Sequence, residues 1–387
     1  MLDTVVLNIP RALVREISNG SKPWDLQART PTYEKFTKNP PRGINDGVYR
    51  PRITGMNRSI GRGQKISFIR IEFSAPKLAF GNNLEELADK DFKGVVDRLH
   101  ERLVEAGLLI NKQDIASATV AAFHPSKNIV LSGGYTASLV SRELAKININ
   151  KKFDLQKTSF RNDGQSLQGW TRAHSIVVYD KVADLAQSKK RAIDKDQTPR
   201  QLALFQKIKA EHPSLEILRL EIRLTQKQKI NAVLKGLGLP PNPTFEQIFK
   251  KDVCQKVVQS YWEKIVEGEN LFLFGVESNP KNLLKRILRQ HPKMQAKNAV
   301  YLVGLNALCN DEGGIRELRA ILEKRQSQRG WYRTTEGISL LNEGRSDRHL
   351  HGWLRQIRDA LKDFKPYKVR SPPKNLPTEP VWTCKPL

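Results

Sequence analysis

Residues 215–224 read LEILRLEIRL, and this stretch decides the fold. Apolar and charged side chains alternate along it. The apolar row consists of Leu218, Leu220, Ile222 and Leu224, and the charged row consists of Arg219, Glu221 and Arg223. Because successive side chains of a strand point to opposite faces, this alternation predicts a strand with one buried face, as in an antiparallel sheet.

A second strand is predicted in GWTRAHSIVVYDK at 169–181. Its centre, 176–178, consists of β-branched residues, which pack better on a pleated sheet than in a helix. With a period of two, Tyr179 shares a face with Val177 and Lys181. Tyr179 therefore ends a buried strand where rigid backbone gives way to a turn. Such a place suits a positioned nucleophile, and it is also an ordinary way for a strand to end.

The rest of the N-terminal half alternates between strand and helix patterns. Strands are predicted at 2–9, 66–73, 116–123 and 147–153, and helices at 84–108, 136–146, 182–192 and 199–210. Residues 18–63 are rich in glycine, proline and basic residues. They predict a long basic excursion with short strands at best.

The hydrophobic period changes to that of a helix after Thr225. Helical segments follow, separated by GLGLPPNP at 236–243 and ESNPKN at 277–282. We therefore predict an α+β fold in three parts. An α+β domain with the candidate site spans 1–235, a helical DNA-binding or accessory domain spans 236–370, and a proline-rich tail spans 371–387.

The strongest signal in the composition is charge. The 387 residues include 66 basic and 40 acidic side chains, for a net charge of +26. Such an excess attracts polyanions, and nucleic acid is the foremost of them because binding also releases counterions. An anionic membrane surface is the competing partner, but no apolar run of about 18 residues is present. Three cysteines without paired short spacing argue against a disulfide framework or a cysteine-rich zinc site, and fit a reducing cytoplasm.

Three ionisable side chains lie on or just after predicted strands: Glu72, His124 and Glu221. Two carboxylates and an imidazole can hold a hard divalent cation, with waters or phosphate oxygens completing the shell. Such a cation would polarise a phosphodiester and offset charge in the transition state. The alternative is that Glu221 is merely salt-bridged to its arginine neighbours on a solvated sheet face.

A histidine pair, His349 and His351, matches the His-apolar-His pattern of the HUH nickases. The apolar residues from Leu350 to Phe364 recur at helical steps, however, and Ser346 is a candidate N-cap. Residues two apart on a helix diverge by about 200°, so the two rings would not share one ion. We therefore interpret the pair as structural or as a contact to the DNA backbone.

The sequence QRGWYR places Trp331 and Tyr332 between Arg329 and Arg333. Aromatic rings beside arginines can stack on unpaired bases. Burial in the helical domain is the alternative for these rings.

Taken together, these stretches resemble the filamentous-phage replication-initiation endonucleases, the gene II/gene X protein family. The resemblance is carried by MLDTVVLNIP at 1–10, FIRIEFSAPKLAFGNN at 68–83, HPSKNI at 124–129, FRNDGQSLQ at 160–168, VVYDKVADL at 177–185 and LRLEIRL at 218–224. It extends in matching order from residue 1 to residue 240 and is looser over the helical remainder.

The resemblance implies a nickase-like antiparallel sheet of the HUH/Rep type and a rolling-circle replication initiator. Its tyrosine falls on Tyr179, its acidic positions on Glu72 and Glu221, and its His-x-Ser-Lys-Asn run on 124–128. The implied enzyme nicks one strand at an origin by Mg²⁺- or Mn²⁺-dependent transesterification. Tyr179 would form a 5′-phosphotyrosyl link and free a 3′-OH primer, with later rejoining.

The hypothesis for this reaction gives roles to individual side chains. Lys127, Lys181 and Arg219 would neutralise phosphate charge, and Glu72, Glu221 and His124 would hold the metal. The expected DNA contacts are Ser126, Asn128, Arg223, Arg329, Trp331 and Arg333. Expected partners are double-stranded origin DNA, single-stranded DNA, and a host helicase, single-strand-binding protein and polymerase in the bacterial cytoplasm, with no membrane partner and the oligomeric state open.

Two other functions are compatible with the sequence. A conjugative relaxase would use similar chemistry, but its usual large helicase or coupling domain has no room in this chain. A non-catalytic DNA-binding regulator of replication or transcription fits the net charge and the helical C-terminal half.

Overall fold

The centre of the molecule, in a computed structural model, is a ten-stranded antiparallel sheet. The residues described are 1–17, 23–39, 48–61, 64–147, 157–161, 166–186, 199–212, 214–267, 271–274, 279–311, 314–323, 325–342 and 351–369. From edge to edge, the strands are β3 (Asp25–Arg29), β4 (Tyr33–Thr37), β5 (Arg52–Gly61), β6 (Gln64–Ser74), β1 (Leu2–Pro10), β8 (Thr119–Leu131), β12 (Glu216–Leu224), β11 (His174–Asp180), β10 (Ser166–Trp170) and β9 (Lys157–Arg161). A separate ladder joins β2 (Arg15–Glu16) to β7 (Leu108–Leu109).

Helices follow or connect these strands. Those in the first part of the chain are α1 (Ala75–Phe80), α2 (Phe92–Glu105), α3 (Lys112–Ala116), α4 (Ala137–Ala145), α5 (Lys181–Ala186) and α6 (Pro199–Glu211). Those after the last strand are α7 (Lys227–Gly236), α8 (Phe245–Ile248), α9 (Lys251–Trp262), α10 (Pro280–Gln290), α11 (Ala296–Asn310), α12 (Gly314–Glu323), α13 (Gln328–Glu336) and α14 (Gly352–Asp363).

One face of the sheet carries the main hydrophobic core. Leu218, Leu220 and Ile222 of β12 point to this core face and are at most 1% exposed. Helices α9 and α14 pack over β8, α9 also over β12, and α4 over β10 and β11. The alternation in 215–224 thus produces the buried face that it predicts, because the apolar row is removed from water by helices from both halves of the chain.

The opposite face, which we call the site face, carries Tyr179 of β11 with Arg219, Glu221 and Arg223 of β12. A smaller apolar cluster formed by Leu84, Leu185, Leu204, Ile208 and Ile217 lies on it. Helices α5 and α6 contribute to this cluster and cover one end of the site face. Tyr179, Arg223 and His124 stay partly exposed.

Several sequence predictions are confirmed. The strands at 2–9, 66–73 and 215–224 and the strand ending in Tyr179 are β1, β6, β12 and β11. The helix at 136–146 is α4, and the Thr136 hydroxyl accepts the Leu139 N–H at 3.1 Å as its N-cap.

Other predictions need correction. Residues 18–63 contain β3, β4 and the ten-residue β5, which pair in a meander that a local reading of glycine and proline misses. The helix predicted at 84–108 begins only at Phe92, after a turn at 81–91. The strand predicted to end at Phe123 continues to Leu131, because β12 pairs with its second half.

The helices after β12 do not stand apart from the sheet, since α9 and α14 share its core. The domain boundary itself stays a prediction. The predicted strand at 147–153 and helix at 182–192 lie mostly outside the described residues, as do Ser346, His349 and the tail at 371–387. Helix α14 begins at Gly352 with His351 as its N-cap, so His351 precedes the helix and the helical-wheel argument does not apply to it.

In the described part of the chain, no helix combines the length and apolarity needed to cross a membrane.

Gly314, at the start of α12, fastens the C-terminal helices to the end of α4. The Ile315 N–H donates to the Lys146 carbonyl at 3.1 Å, and a Cβ on Gly314 would lie 2.4 Å from the Lys146 Cα. Its φ is also 65°. Left-handed backbone costs about 1–2 kcal/mol and overpacking about 1–3 kcal/mol. We therefore expect Gly314→Ala to lower the free energy of unfolding by about 3 kcal/mol.

A matched control separates the two causes. Gly134 has a φ of 81°, but no neighbouring atom lies within 4 Å of its Cβ position. Gly134→Ala should therefore show only the backbone cost in urea denaturation. Equal losses in Gly134→Ala and Gly314→Ala would contradict the role of the Lys146 contact.

Candidate functional site

Tyr179 lies at the end of β11, next to the charged row of β12. It stands opposite Arg219 in the ladder, and Val177 stands opposite Glu221. The Tyr179 hydroxyl donates to Oε2 of Glu221 at 3.3 Å. The end of β11 therefore places the phenol within hydrogen-bond distance of a buried carboxylate on the neighbouring strand.

The Glu221 carboxylate is the centre of the site and is 2% exposed. Its Oε1 accepts from Nε of Arg223 at 2.8 Å and lies 3.5 Å from Nδ1 of His124, and its Oε2 lies 3.9 Å from Nε of Arg219. Burial would raise the pKa of Glu221, but Arg223, His124 and Arg219 hold it well below its usual range. Glu221 is therefore an anion that orients the side chains around it.

Arg219 is the second residue of the site with several polar contacts, and like Glu221 it is 2% exposed. Its guanidinium donates to the Asn83 carbonyl at 2.7 Å and to the Ser126 hydroxyl at 2.9 Å, and it lies 3.2 Å from Oδ2 of Asp3. Burial would lower the pKa of Arg219, but Asp3 and the neighbouring acidic groups raise it. The cation next to Tyr179 is thus permanently charged and held from three elements.

Asp3 is a site residue that the sequence analysis missed. It is the one charged residue of β1, and its Oδ1 accepts the Ser74 hydroxyl at 3.2 Å. The β1–β8 ladder shifts register between Leu2 and Val5, where such an irregularity can turn a side chain toward the other face. The available signal was a single acidic residue in a strand that has no other charged side chain.

The Tyr179 phenol is neutral as the site stands. Its removal from water raises the pKa well above the usual value, and Glu221 raises it further while Arg219 opposes the rise. Arg219 would stabilise negative charge on the phenolic oxygen if the proton left. The geometry therefore suits a tyrosine that loses its proton only as a reaction proceeds.

Lys181 starts α5 directly after Tyr179 and is completely buried. Its Nζ lies 3.2 Å from Oδ2 of Asp184 and 5.6 Å from the centre of the Tyr179 ring. Burial lowers the pKa of Lys181 to about 8, against the attraction of Asp184. Its predicted contact with phosphate requires Asp184 to release it.

Three predicted contacts with substrate or DNA are instead made inside the protein. Ser126 and Asn128 are at most 3% exposed, with Ser126 bound to Arg219 and the Asn128 amide donating to the Leu84 carbonyl at 2.6 Å. Lys127 alternates onto the core face and donates to Glu86 at 2.6 Å. Residues 126–128 do lie close together, but their polar side chains form hydrogen bonds inside the protein and stabilise the fold.

Glu86 is a buried carboxylate beside the site that sequence analysis also missed. It accepts from the Lys127 ammonium, from the Asn128 N–H at 2.7 Å and from the Tyr367 N–H at 2.9 Å, and it binds the Met1 amino group. Burial would raise the pKa of Glu86, but the Met1 ammonium and Lys127 lower it to about 2. Glu86 therefore joins the second half of β8 to the C-terminal segment.

We expect Glu86→Gln to remove an acid-sensitive part of the stability. Since its folded-state pKa lies below the unfolded value of about 4.5, the contribution is complete above that pH and is lost as the pH falls toward 2. The difference corresponds to about 3 kcal/mol. Urea denaturation at pH 7 should show that loss, and at pH 2.5 the gap between the variant and the parent should shrink to about 1 kcal/mol.

Glu246→Gln is the control, because Glu246 is exposed in α8. It should leave both measurements within about 0.5 kcal/mol of the parent. A constant gap between Glu86→Gln and the parent from pH 7 to pH 2.5 would contradict the ion-pair account.

The predicted metal ligands are only partly brought together. His124 and Glu221 are neighbours, but Glu72 lies on β6, opposite Val6 and Arg52. With β1 and β8 between β6 and β12, the backbones at Glu72 and Glu221 are at least about 14 Å apart. Among the residues described, no three acidic, histidine or cysteine side chains are arranged to hold a metal ion. The predicted set does not fit a cation as it stands, since arginines already surround Glu221, and metal dependence stays a prediction.

The C-terminal candidates lie on α13. Arg329 and Arg333 are exposed, whereas Trp331 is 4% exposed. Trp331 is therefore buried, which is the alternative to base stacking given for it above. Its ring is not available for the predicted contact with bases. His351 stacks on Trp353 with ring planes 13° apart.

Comparison of the chain with protein-family models, with curated proteins and with solved structures gives no match. The functional interpretation therefore depends on the site's own residues and geometry.

Proposed function

We propose that the protein is a site-specific DNA nickase that initiates rolling-circle replication, with Tyr179 as the nucleophile. The observation that carries the proposal is the hydrogen bond from the Tyr179 hydroxyl to Glu221, in a site walled by Arg219 and Arg223. A tyrosine between an acceptor for its proton and cations for phosphate has the parts that transesterification needs. The sequence resemblance to phage initiators supports the same assignment.

The proposed reaction exchanges one phosphodiester for another. The Tyr179 oxygen attacks the phosphorus, the new Oη–P bond forms, and the bond from phosphorus to the 3′ oxygen breaks. The phenolic proton is lost to water while Glu221 stays ionised and orients the phenol, and a proton is returned to the departing 3′ oxygen. The products are a 5′-phosphotyrosyl strand and a free 3′-OH, and the reverse reaction rejoins the strand.

The charges around Tyr179 favour a phosphate at this position. Arg223 is 35% exposed and is the cation of the site that solvent reaches, so it is the first guanidinium that an incoming phosphate meets. Arg219 lies deeper and would offset charge on the phenolic oxygen. Fixed cations in a partly dry site act more strongly than cations in water.

The test is nicking of a supercoiled plasmid that carries the chain's own gene and its flanking DNA. Purified protein is incubated with the plasmid, with and without Mg²⁺ or Mn²⁺, and the products are separated in denaturing gels. Open circles with protein attached to a 5′ end support the proposal and settle the predicted metal requirement. A gel shift with no strand break supports the alternative function, a non-catalytic DNA-binding regulator.

A further inference from the structure

The helices α12 and α13 form a compact pair joined by a short turn. Residues 325–327 lie in the connection, and the Arg325 and Gln326 N–H groups both donate to the carbonyl of Leu322 in the last turn of α12. Ser327 directly precedes α13: its carbonyl accepts the Trp331 N–H at 3.0 Å and its hydroxyl accepts the Gly330 N–H at 3.2 Å. A turn of this length between two helices is the connection used in helix-turn-helix units.

The pair is supported by a third helix and a buried tryptophan. α11 packs on α12, and α12 packs on α13. The buried side chains of these three helices include Leu302, Leu305, Ile315, Leu318 and Trp331. The Arg319 guanidinium lies 5.8 Å from the centre of the Trp331 ring. Trp331 therefore packs α13 against the neighbouring helices, and the opposite side of α13 faces outward.

The first two turns of the outward side of α13 are basic, and Glu336 is exposed in its last turn. Arg329 and Arg333 are four residues apart, which places them on one face of the helix, and Tyr332 is 49% exposed beside them. Residues 324–333 contain four basic side chains and no acidic one. In the described part of the chain, neither Arg329 nor Arg333 has an ion-pair partner. In α2, by contrast, Arg98 pairs with Glu101 at 3.1 Å.

We propose that α13 is a recognition helix that enters the major groove of duplex DNA, with Arg329 and Arg333 as its principal contacts. An α-helix with its side chains is about 10–12 Å across, which matches a major groove about 12 Å wide. Arginine binds guanine edges with two hydrogen bonds and phosphates by charge. The inference deepens the proposed function, and it rests on that function for the identity of the duplex as an origin.

The binding test uses a fluorescent duplex of about three helical turns, selected with the parent protein from a randomised pool, and the corresponding single strand. Arg329→Ala/Arg333→Ala should weaken duplex binding by about tenfold or more at about 100 mM salt. The slope of log affinity against log salt should fall by about 2. Lys227→Ala/Lys235→Ala, on the exposed side of α7, removes the same charge and should bind the duplex like the parent.

Two further variants keep the outcome interpretable. Arg329→Lys/Arg333→Lys preserves charge and fold, so it should retain binding to arbitrary duplex but lose preference for the selected sequence. Tyr179→Phe should bind the duplex like the parent. Circular dichroism and melting temperature check the fold of every variant. Duplex binding by Arg329→Ala/Arg333→Ala within twofold of the α7 control would overturn the proposal.

The same experiment separates the inference from the nickase proposal. Cleavage of a single strand that carries the nick site should survive Arg329→Ala/Arg333→Ala if both proposals hold. If duplex binding depends on α13 and no covalent adduct ever forms, the nickase proposal fails and the recognition helix stands. If the adduct forms and the substitutions in α13 leave the duplex affinity unchanged, the recognition-helix proposal fails and the nickase proposal stands.

Discussion

Replacing Tyr179 with Phe is expected to abolish covalent attachment to DNA and plasmid nicking. The hydroxyl donates to Glu221 and is the atom that would attack phosphorus, so its removal deletes the nucleophile while the ring keeps its contact with Lys181. Glu221 keeps Arg223 at 2.8 Å and His124 at 3.5 Å, so the carboxylate is not left unpaired. We expect nicking to fall by at least about 10³-fold, with little change in stability.

The measurement is transfer of label to protein, in a denaturing gel, from a strand labelled on the 3′ side of the nick, because that fragment carries the 5′ phosphate that Tyr179 would hold. Tyr261→Phe is the control, because Tyr261 is a buried tyrosine on the core face, bonded to His174 at 2.8 Å. Tyr261→Phe should lower the free energy of unfolding but leave the nicking rate per folded molecule unchanged. An adduct formed by Tyr179→Phe at the parent's rate would show that another residue is the nucleophile.

Replacing Arg219 with Met should be the most destabilising change in the site. Its guanidinium holds Asp3, Ser126 and the Asn83 carbonyl, and the loss would leave Asp3 as an uncompensated buried charge. Removal of one partner of a buried ion pair costs about 3–5 kcal/mol. We expect a loss of that size in chemical denaturation, and a parallel loss of nicking because the phenolic oxygen would no longer face a cation.

Arg223→Met is the matched comparison, since it also removes a guanidinium from Glu221 but from a side chain that is 35% exposed. It should cost clearly less stability than Arg219→Met. A double-mutant cycle then isolates the main partner: Asp3→Asn combined with Arg219→Met should be less destabilising than the sum of the two single changes, by about 1–3 kcal/mol. Strict additivity would refute a direct Asp3–Arg219 interaction.

The site could be predicted from the sequence only along single strands. The alternation at 215–224 gives the charged row of β12, and the end of the apolar run at 176–178 gives Tyr179. Neither pattern says which strands are neighbours. The β11–β12 pairing that sets Tyr179 opposite Arg219 is a long-range contact, and so is the arrival of Asp3 from the first strand.

The errors have a common physical cause. Ser126, Lys127 and Asn128 have the chemistry of phosphate ligands, but β8 continues through them and the turn at 81–91 covers them, so their polar groups are bonded inside the protein. Glu72 has the chemistry of a metal ligand, but β1 and β8 separate it from Glu221. Residue type shows what a side chain can do, and burial and strand order decide what it meets.

The sequence alone determined the alternating strands, the mixed α and β composition and the strong positive charge, because side-chain period and net charge are local or summed properties. The tertiary structure decided the strand order, the burial of Arg219, Glu221 and Lys181, and the placement of Trp331 beneath an exposed pair of arginines. These features depend on which segments pack together, and such contacts join residues that are far apart in the chain.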